Sequence, residues 1–346
     1  MGESRSYHCG MLVTSLFSLL LFTHSAQAIE LRLEPIQPIP VKLAHDADKA
    51  ALGEKLFFEP KLSVDSAISC AHCHDLDEKG GADGLKRSFG VDGRVGLANS
   101  PTVFNAALNF AQFWDGRAET LEDQIAGPVT AHAEMASTWP GVIKKLAADP
   151  YYRETFSSLY EDGITAANIK HAIAEFERTL ITPNSRFDRY LHGDEEAISA
   201  EEKHGYQLFK GYGCTACHQG MNVGGNLFQT LGVMGDYFKD HPIENDADLG
   251  RYNITGKVSD RFRYKVPSLR TAVLTAPYFH NGAHDTLYEA IRVMAKYQLG
   301  REIPDADIRS IIQFLYTLPG EFRGRTIEPK GREQLNSPLA KGVPSP

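Results

Sequence analysis

Apolar residues recur at the i, i+3, i+4, i+7 spacing of an amphipathic helix in two well-separated stretches. These are Ile169, Ile173, Phe176 and Leu180, and Ile308, Ile311, Ile312, Leu315 and Leu318. Pro304 and Asp305 stand where the second helix would start, and Pro319-Gly320 where it would stop. Alternating, strand-like segments are sparse. The stretches Asp75–Pro101 and Gly220–Tyr252 are rich in Gly, Pro and Asn and read as long loops. The pattern predicts a mainly α protein with long connections.

The longest apolar run, Met11–Phe22, follows Arg5 and ends in Ala26-x-Ala28. This is the layout of an export signal with its cleavage site, so residues 1–28 are expected to be a signal peptide. At about 12 residues the run falls short of the ~20 needed to cross a bilayer, so no stable membrane anchor is expected. Cys9 precedes the run and would leave with it.

The chain also repeats itself. Gly53-x-x-Leu56-Phe57 precedes Cys70-Ala-His-Cys73-His74, and Gly205-x-x-Leu208-Phe209 precedes Cys214-Thr-Ala-Cys217-His218. Each copy is followed at a distance by one of the two amphipathic helices, as expected of a duplicated module. The predicted units are residues 29–192 and 193–346, hinged near Gly193-Asp-Glu-Glu196.

Composition narrows the classes. With 346 residues, 42% hydrophobic and 23% charged, the chain is an ordinary globular one. Its net charge of −8 offers no basic footprint for nucleic acid. All four cysteines beyond residue 28 fall in Cys-x-x-Cys-His. Such a pair with an adjacent His suits covalent c-type haem, the thiols forming thioethers and the His the proximal iron ligand. A dithiol redox pair needs no following His, and a four-Cys zinc site would leave both His without a role. Two covalently bound haem c groups are therefore predicted.

Further motifs are Asn99-Ser-Pro-Thr-Val-Phe-Asn105, Gln112-Phe-Trp-Asp-Gly-Arg-Ala118, Glu122-Asp-Gln124, Glu134-Met135, Lys265-Val-Pro-Ser-Leu-Arg270 and Ala276-Pro-Tyr-Phe-His-Asn-Gly282. With the haem motifs, over roughly residues 45–320, the sequence closely resembles the bacterial dihaem cytochrome c peroxidases and, in the same superfamily, MauG. The resemblance implies two cytochrome-c-like helical domains, each holding one haem. It implies a periplasmic enzyme that reduces hydrogen peroxide with electrons from a small cytochrome c or cupredoxin. Members are often dimers, so a homodimer is a further expectation.

Carried over by residue, the resemblance makes the N-terminal haem peroxidatic, with His74 proximal and Gln124 and Glu134 distal. A carboxylate can take a proton from peroxide and return it to the leaving oxygen, whereas an amide can only orient. The C-terminal haem would take electrons from the donor and be held by His218 and Met294, where MauG carries Tyr. Trp114 would lie between the haems. Asn99, Thr275 and Pro277 match positions that bind calcium, a hard cation suited to oxygen ligands.

One departure bears on mechanism. Many members close the peroxidatic haem with a distal His, but the aligned stretch here is Ser88–Arg94 with Val91 at its centre, and no His occurs from Asp75 to Gln112. An open peroxidatic haem in the oxidised state is expected, with His132 the nearest spare imidazole. MauG lacks that His too, so peroxide-driven oxidation of residues on a partner protein is the alternative activity. A non-enzymatic dihaem electron carrier is a third, disfavoured by Glu134 and Gln124.

Overall fold

The computed structural model describes residues 34–329; the predicted signal peptide lies outside them. The described chain is mainly helical with few strands. The longer helices are α1 (Ala47–Phe57), α2 (Leu121–Thr130), α3 (Trp139–Ala147), α4 (Pro150–Leu159), α5 (Ala166–Glu177), α6 (Arg186–Leu191), α7 (Ala200–Gly211), α8 (Leu287–Val293) and α9 (Asp305–Leu315). Two antiparallel ribbons complete it, β1 (Phe228–Thr230) with β2 (Arg263–Lys265), and β3 (Glu321–Phe322) with β4 (Arg325–Thr326).

Both amphipathic stretches are helices, α5 and α9, but each ends about three residues early. Arg178–Leu180 and Tyr316–Leu318 turn back through short i+3 bonds, such as Leu180 N–H to the Glu177 carbonyl at 3.0 Å. The Gly220–Tyr252 stretch, read as loop, contains β1. Helices α3 and α4 were not anticipated, although both have legible starts. Thr138 caps α3 by accepting from Gly141 N–H, and Asp149 caps α4 ahead of Pro150.

The repeated Gly-x-x-Leu-Phe motif has a packing cause. Helix α1 crosses α5, and α7 crosses α9, each at the motif's glycine. A Cβ on Gly53 would lie 1.8 Å from the Ala172 carbonyl oxygen, and one on Gly205 would lie 1.9 Å from that of Ser310. Only a glycine allows helix backbones so close. Leu56 and Phe57 are then fully buried, as is Phe209 beside Phe314, with ring centroids 5.2 Å apart.

The two ends of the described chain cross over. Ile36 is buried in the core formed by Phe187, Leu191, Tyr206 and Phe314, and its strand-like backbone pairs with Gly220. Conversely, Phe322 and Ile327 pack with Phe57, Phe104 and Phe176, the Phe104–Phe322 centroids lying 4.9 Å apart. Arg270, wholly buried, ties these parts together. It pairs with Asp188 at 2.7 Å and donates to the carbonyls of Gln37 and Met221, each at 2.7 Å.

Candidate active site

Each Cys-x-x-Cys-His copy is a tight helical turn that puts its histidine at the end. His74 Nδ1 lies 3.0 Å from the Gly81 carbonyl, and His218 Nδ1 lies 3.3 Å from that of Val223. A backbone acceptor at Nδ1 fixes the tautomer and leaves Nε2 as the lone-pair nitrogen, the arrangement that orients a metal-ligating imidazole. Burial lowers both imidazole pKa values, that of His218 to about 4, so both rings are neutral. Burial likewise pushes the Cys70 thiol up to about 12 and those of Cys73 and Cys214 to about 11.

The C-terminal copy opens on a large, mostly apolar cavity. Cys214, Cys217 and His218 line it, and so does Met294. Met294 begins a π-helical turn, Met294–Gln298, that continues α8. Such a turn shifts the register of a helix at one point, and it commonly marks a functional position. The donor set of two thiols, a neutral imidazole and a thioether around one apolar cavity fits a covalently attached haem, which Cys214, Cys217, His218 and Met294 would hold.

Around the N-terminal copy, Gln124 and Glu134 belong to one substructure. Gln124 lies on α2, begun by the Thr120 cap. Residues 131–137 fold back on the end of that helix, Met135 N–H donating to the Pro128 carbonyl at 3.1 Å and Ser137 N–H to that of Val129 at 2.8 Å. This brings the Glu134 carboxyl within electrostatic reach of Cys73. Burial raises the Glu134 pKa against a smaller opposing pull from Arg117. Arg117 is held by stacking on Phe113, 3.4 Å from the ring centroid, and by Asp115 at 3.0 Å. Phe113 has φ of +67°, a costly conformation for an aromatic residue. A neutral imidazole, two thiols and a half-buried carboxyl fit a second haem with an acid–base group beside it.

Two expected positions resolve differently. Val91 is buried in the N-terminal core, and Val91 N–H donates to the Glu134 carbonyl at 2.9 Å. His132 is exposed, with its carbonyl accepting from Arg94 at 3.0 Å. Trp114 links the Asn99 segment to β2: its Nε1–H donates to the Asn99 carbonyl at 2.9 Å, its own carbonyl accepts from Lys265 N–H at 2.7 Å, and it lines the C-terminal cavity. Asn99 is buried and directs Nδ2 to the Leu85 carbonyl at 2.8 Å, while its N–H bonds the His280 carbonyl at 2.8 Å. Among the described residues no group of three or more His, Cys, Asp or Glu forms a metal cluster, so any cation at Asn99, Thr275 and Pro277 would rest on amide and carbonyl oxygens.

A family model for di-haem cytochrome c peroxidase matches residues 47–196. The chain is 45% identical to cytochrome c551 peroxidase of Nitrosomonas europaea, over 90% of this chain and 92% of that protein. It belongs to the dihaem cytochrome c peroxidase family. It is also 51% identical to the cytochrome c peroxidase Ccp of Escherichia coli K12 over 85% of its own length, but spans only 63% of that relative. The methylamine utilization protein MauG of Methylorubrum extorquens is 35% identical over 79% of each chain. Among solved structures, a MauG-like protein associated with microbial copper homeostasis aligns with a TM-score of 0.72 and 25% identity, over 82% of this chain and 93% of that one.

Within this family member, sequence reasoning missed the carbonyls of Gly81 and Val223, invisible because any residue supplies one. It also missed Lys265, although that residue opens the Lys265–Arg270 motif. Among the described residues no helix is long and apolar enough to cross a membrane.

Proposed function

We propose that this protein is a periplasmic dihaem cytochrome c peroxidase, reducing hydrogen peroxide to water with electrons from a small cytochrome c or cupredoxin. The observation that carries the reading is the Glu134 carboxyl, half-buried beside Cys73 with its pKa raised by burial. The names of the relatives at 45% and 51% identity support it.

In this reading the chain has two units, 29–192 and 193–346, each with one covalent haem c, attached through Cys70 and Cys73 and through Cys214 and Cys217. The haems supply the peroxide-binding iron and the electrons. His74 is the proximal ligand of the peroxidatic haem, and His218 with Met294 hold the other. Glu134 takes the proton of bound peroxide and returns it to the leaving oxygen, which its raised pKa suits. Gln124 orients peroxide by hydrogen bonding. Trp114 supplies an aromatic path between the halves, and Asn99, Thr275 and Pro277 hold calcium at the seam. Residues 1–28 direct export, and the protein can pair as a homodimer.

A second reading, MauG-like oxidation of residues on a partner protein, has Val91 in its favour, since no imidazole stands there. Met294 in the C-terminal cavity weighs against it. The holoprotein mixed with peroxide and pre-reduced small cytochrome c decides. Rapid, catalytic oxidation of the donor is expected; its absence, with both haems loaded, would refute the peroxidase assignment.

A further inference from the structure

The cavity beside Cys214, Cys217, His218 and Met294 holds an unusual charge. Lys265 lines it and is only 5% exposed. No hydrogen bond or ion pair engages its ammonium among the described residues, and no Asp or Glu lines the cavity. Burial alone drives its pKa down, to about 8. A buried ammonium with no partner is costly, and natural chains keep one where an anion completes it.

The lysine's backbone is pinned. It is the last residue of β2, its Cα faces Phe228 across the ribbon, and its N–H is bound by the Trp114 carbonyl at 2.7 Å. The residue lines a cavity that already has two thiols, an imidazole and a thioether. A haem is the one ligand that would use all of these, and it carries two carboxylates.

We propose that Lys265 is the counter-charge of a haem propionate in the C-terminal cavity, and that it thereby raises the reduction potential of that haem. This rests on the reading that Cys214 and Cys217 carry a covalent haem. A positive charge held close to a haem favours the reduced form, which has one positive charge fewer. Lys265 acts through the haem's side groups and touches no peroxide, so it is a positioning residue. Its attachment to the Trp114 carbonyl puts that control at the junction between the two halves.

The test is spectroelectrochemical titration of wild-type, Lys265→Met and Lys265→Arg holoproteins, with haem content read by intact mass. Loss of the charge should shift the C-terminal haem's reduction equilibrium about tenfold towards oxidised, ~59 mV for a one-electron couple. Lys265→Arg should restore most of the shift, and the N-terminal haem should stay unchanged. Loss of the C-terminal haem in Lys265→Met but not in Lys265→Arg also supports the proposal. An unshifted potential in a Lys265→Met protein carrying two haems overturns it. In wild type, the propionate bending band of the C-terminal haem should shift between H2O and D2O; an insensitive band overturns the proposal without any variant. Absence of covalent haem from the wild type would instead refute the haem reading.

Discussion

Val91 donates its backbone N–H to the carbonyl of Glu134 at 2.9 Å, so the segment that would present a distal imidazole is tied to the residue proposed to handle protons. Arg94 adds a second tie, to the His132 carbonyl. The Val91 side chain contributes to the core with Leu121, Ile125 and Met135, and it has no atom that can bind iron.

The oxidised holoprotein should therefore give a high-spin signal from one of its two haems by electron paramagnetic resonance. Stoichiometric peroxide should react without prior reduction. A wholly low-spin spectrum would contradict the open site.

Replacing Glu134 by Gln keeps shape and hydrogen-bonding ends but removes the titrating proton. Peroxide kcat/KM should fall by roughly 10²–10⁴-fold with haem loading unchanged. Burial raises the carboxyl's pKa, and the base form is the ionised one. Wild-type activity should thus rise with pH through a midpoint above the ordinary glutamate range, and this acid limb should be missing from Glu134→Gln. An identical limb in both proteins would assign it to another group.

Gly53→Ala and Gly205→Ala should each cost about 1–3 kcal/mol or more, because the added methyl meets a carbonyl oxygen of the crossing helix. In an open helix the same change stabilises by about 0.5–1 kcal/mol. Gly211→Ala, at the end of α7 with nothing within 4 Å, is the matched control and should be near neutral. Urea midpoints read the difference, and a neutral Gly205→Ala would show that the crossing can relax.

Glu177 is fully buried, its Oε2 has no hydrogen-bond partner among the described residues, and burial lifts its pKa to about 8. The folded state holds the proton more tightly than the unfolded chain, whose value is near 4.3. Its stabilising contribution is thus complete below about pH 4.3 and lost as pH climbs through about 8. Glu177→Gln should flatten that decline, gaining on the order of 1–3 kcal/mol over wild type at pH 9. Thermal midpoints of both proteins from pH 5 to 9 check it; parallel curves would place the proton elsewhere.

What sequence could reveal followed from local rules. Helices α5 and α9 were legible because one apolar face suffices to mark them, and the haem motifs because spacing alone brings two thiols and an imidazole to one turn. The repeated Gly53 and Gly205 were visible as a motif, but their reason lies in Ala172 and Ser310, each more than 100 residues away. The π turn at Met294 left no mark, since its residues have ordinary helix preferences. His132 looked available from its place beside Glu134, yet adjacency in a turn says nothing about direction, and the ring is exposed. Lys265 is visible within its motif, but its isolation depends on the absence of acidic neighbours from several separate segments.

The exchange of ends has a consequence for how the molecule is made. Phe322 and Ile327 complete the core around Phe57 and Phe104, so a chain emerging N-terminus first must wait for nearly its whole length before that core can close. Ile36, emerging among the first, waits in turn for Phe187, Tyr206 and Phe314. Severing the chain near residue 193 would therefore leave each fragment lacking a piece of a core carried by the other.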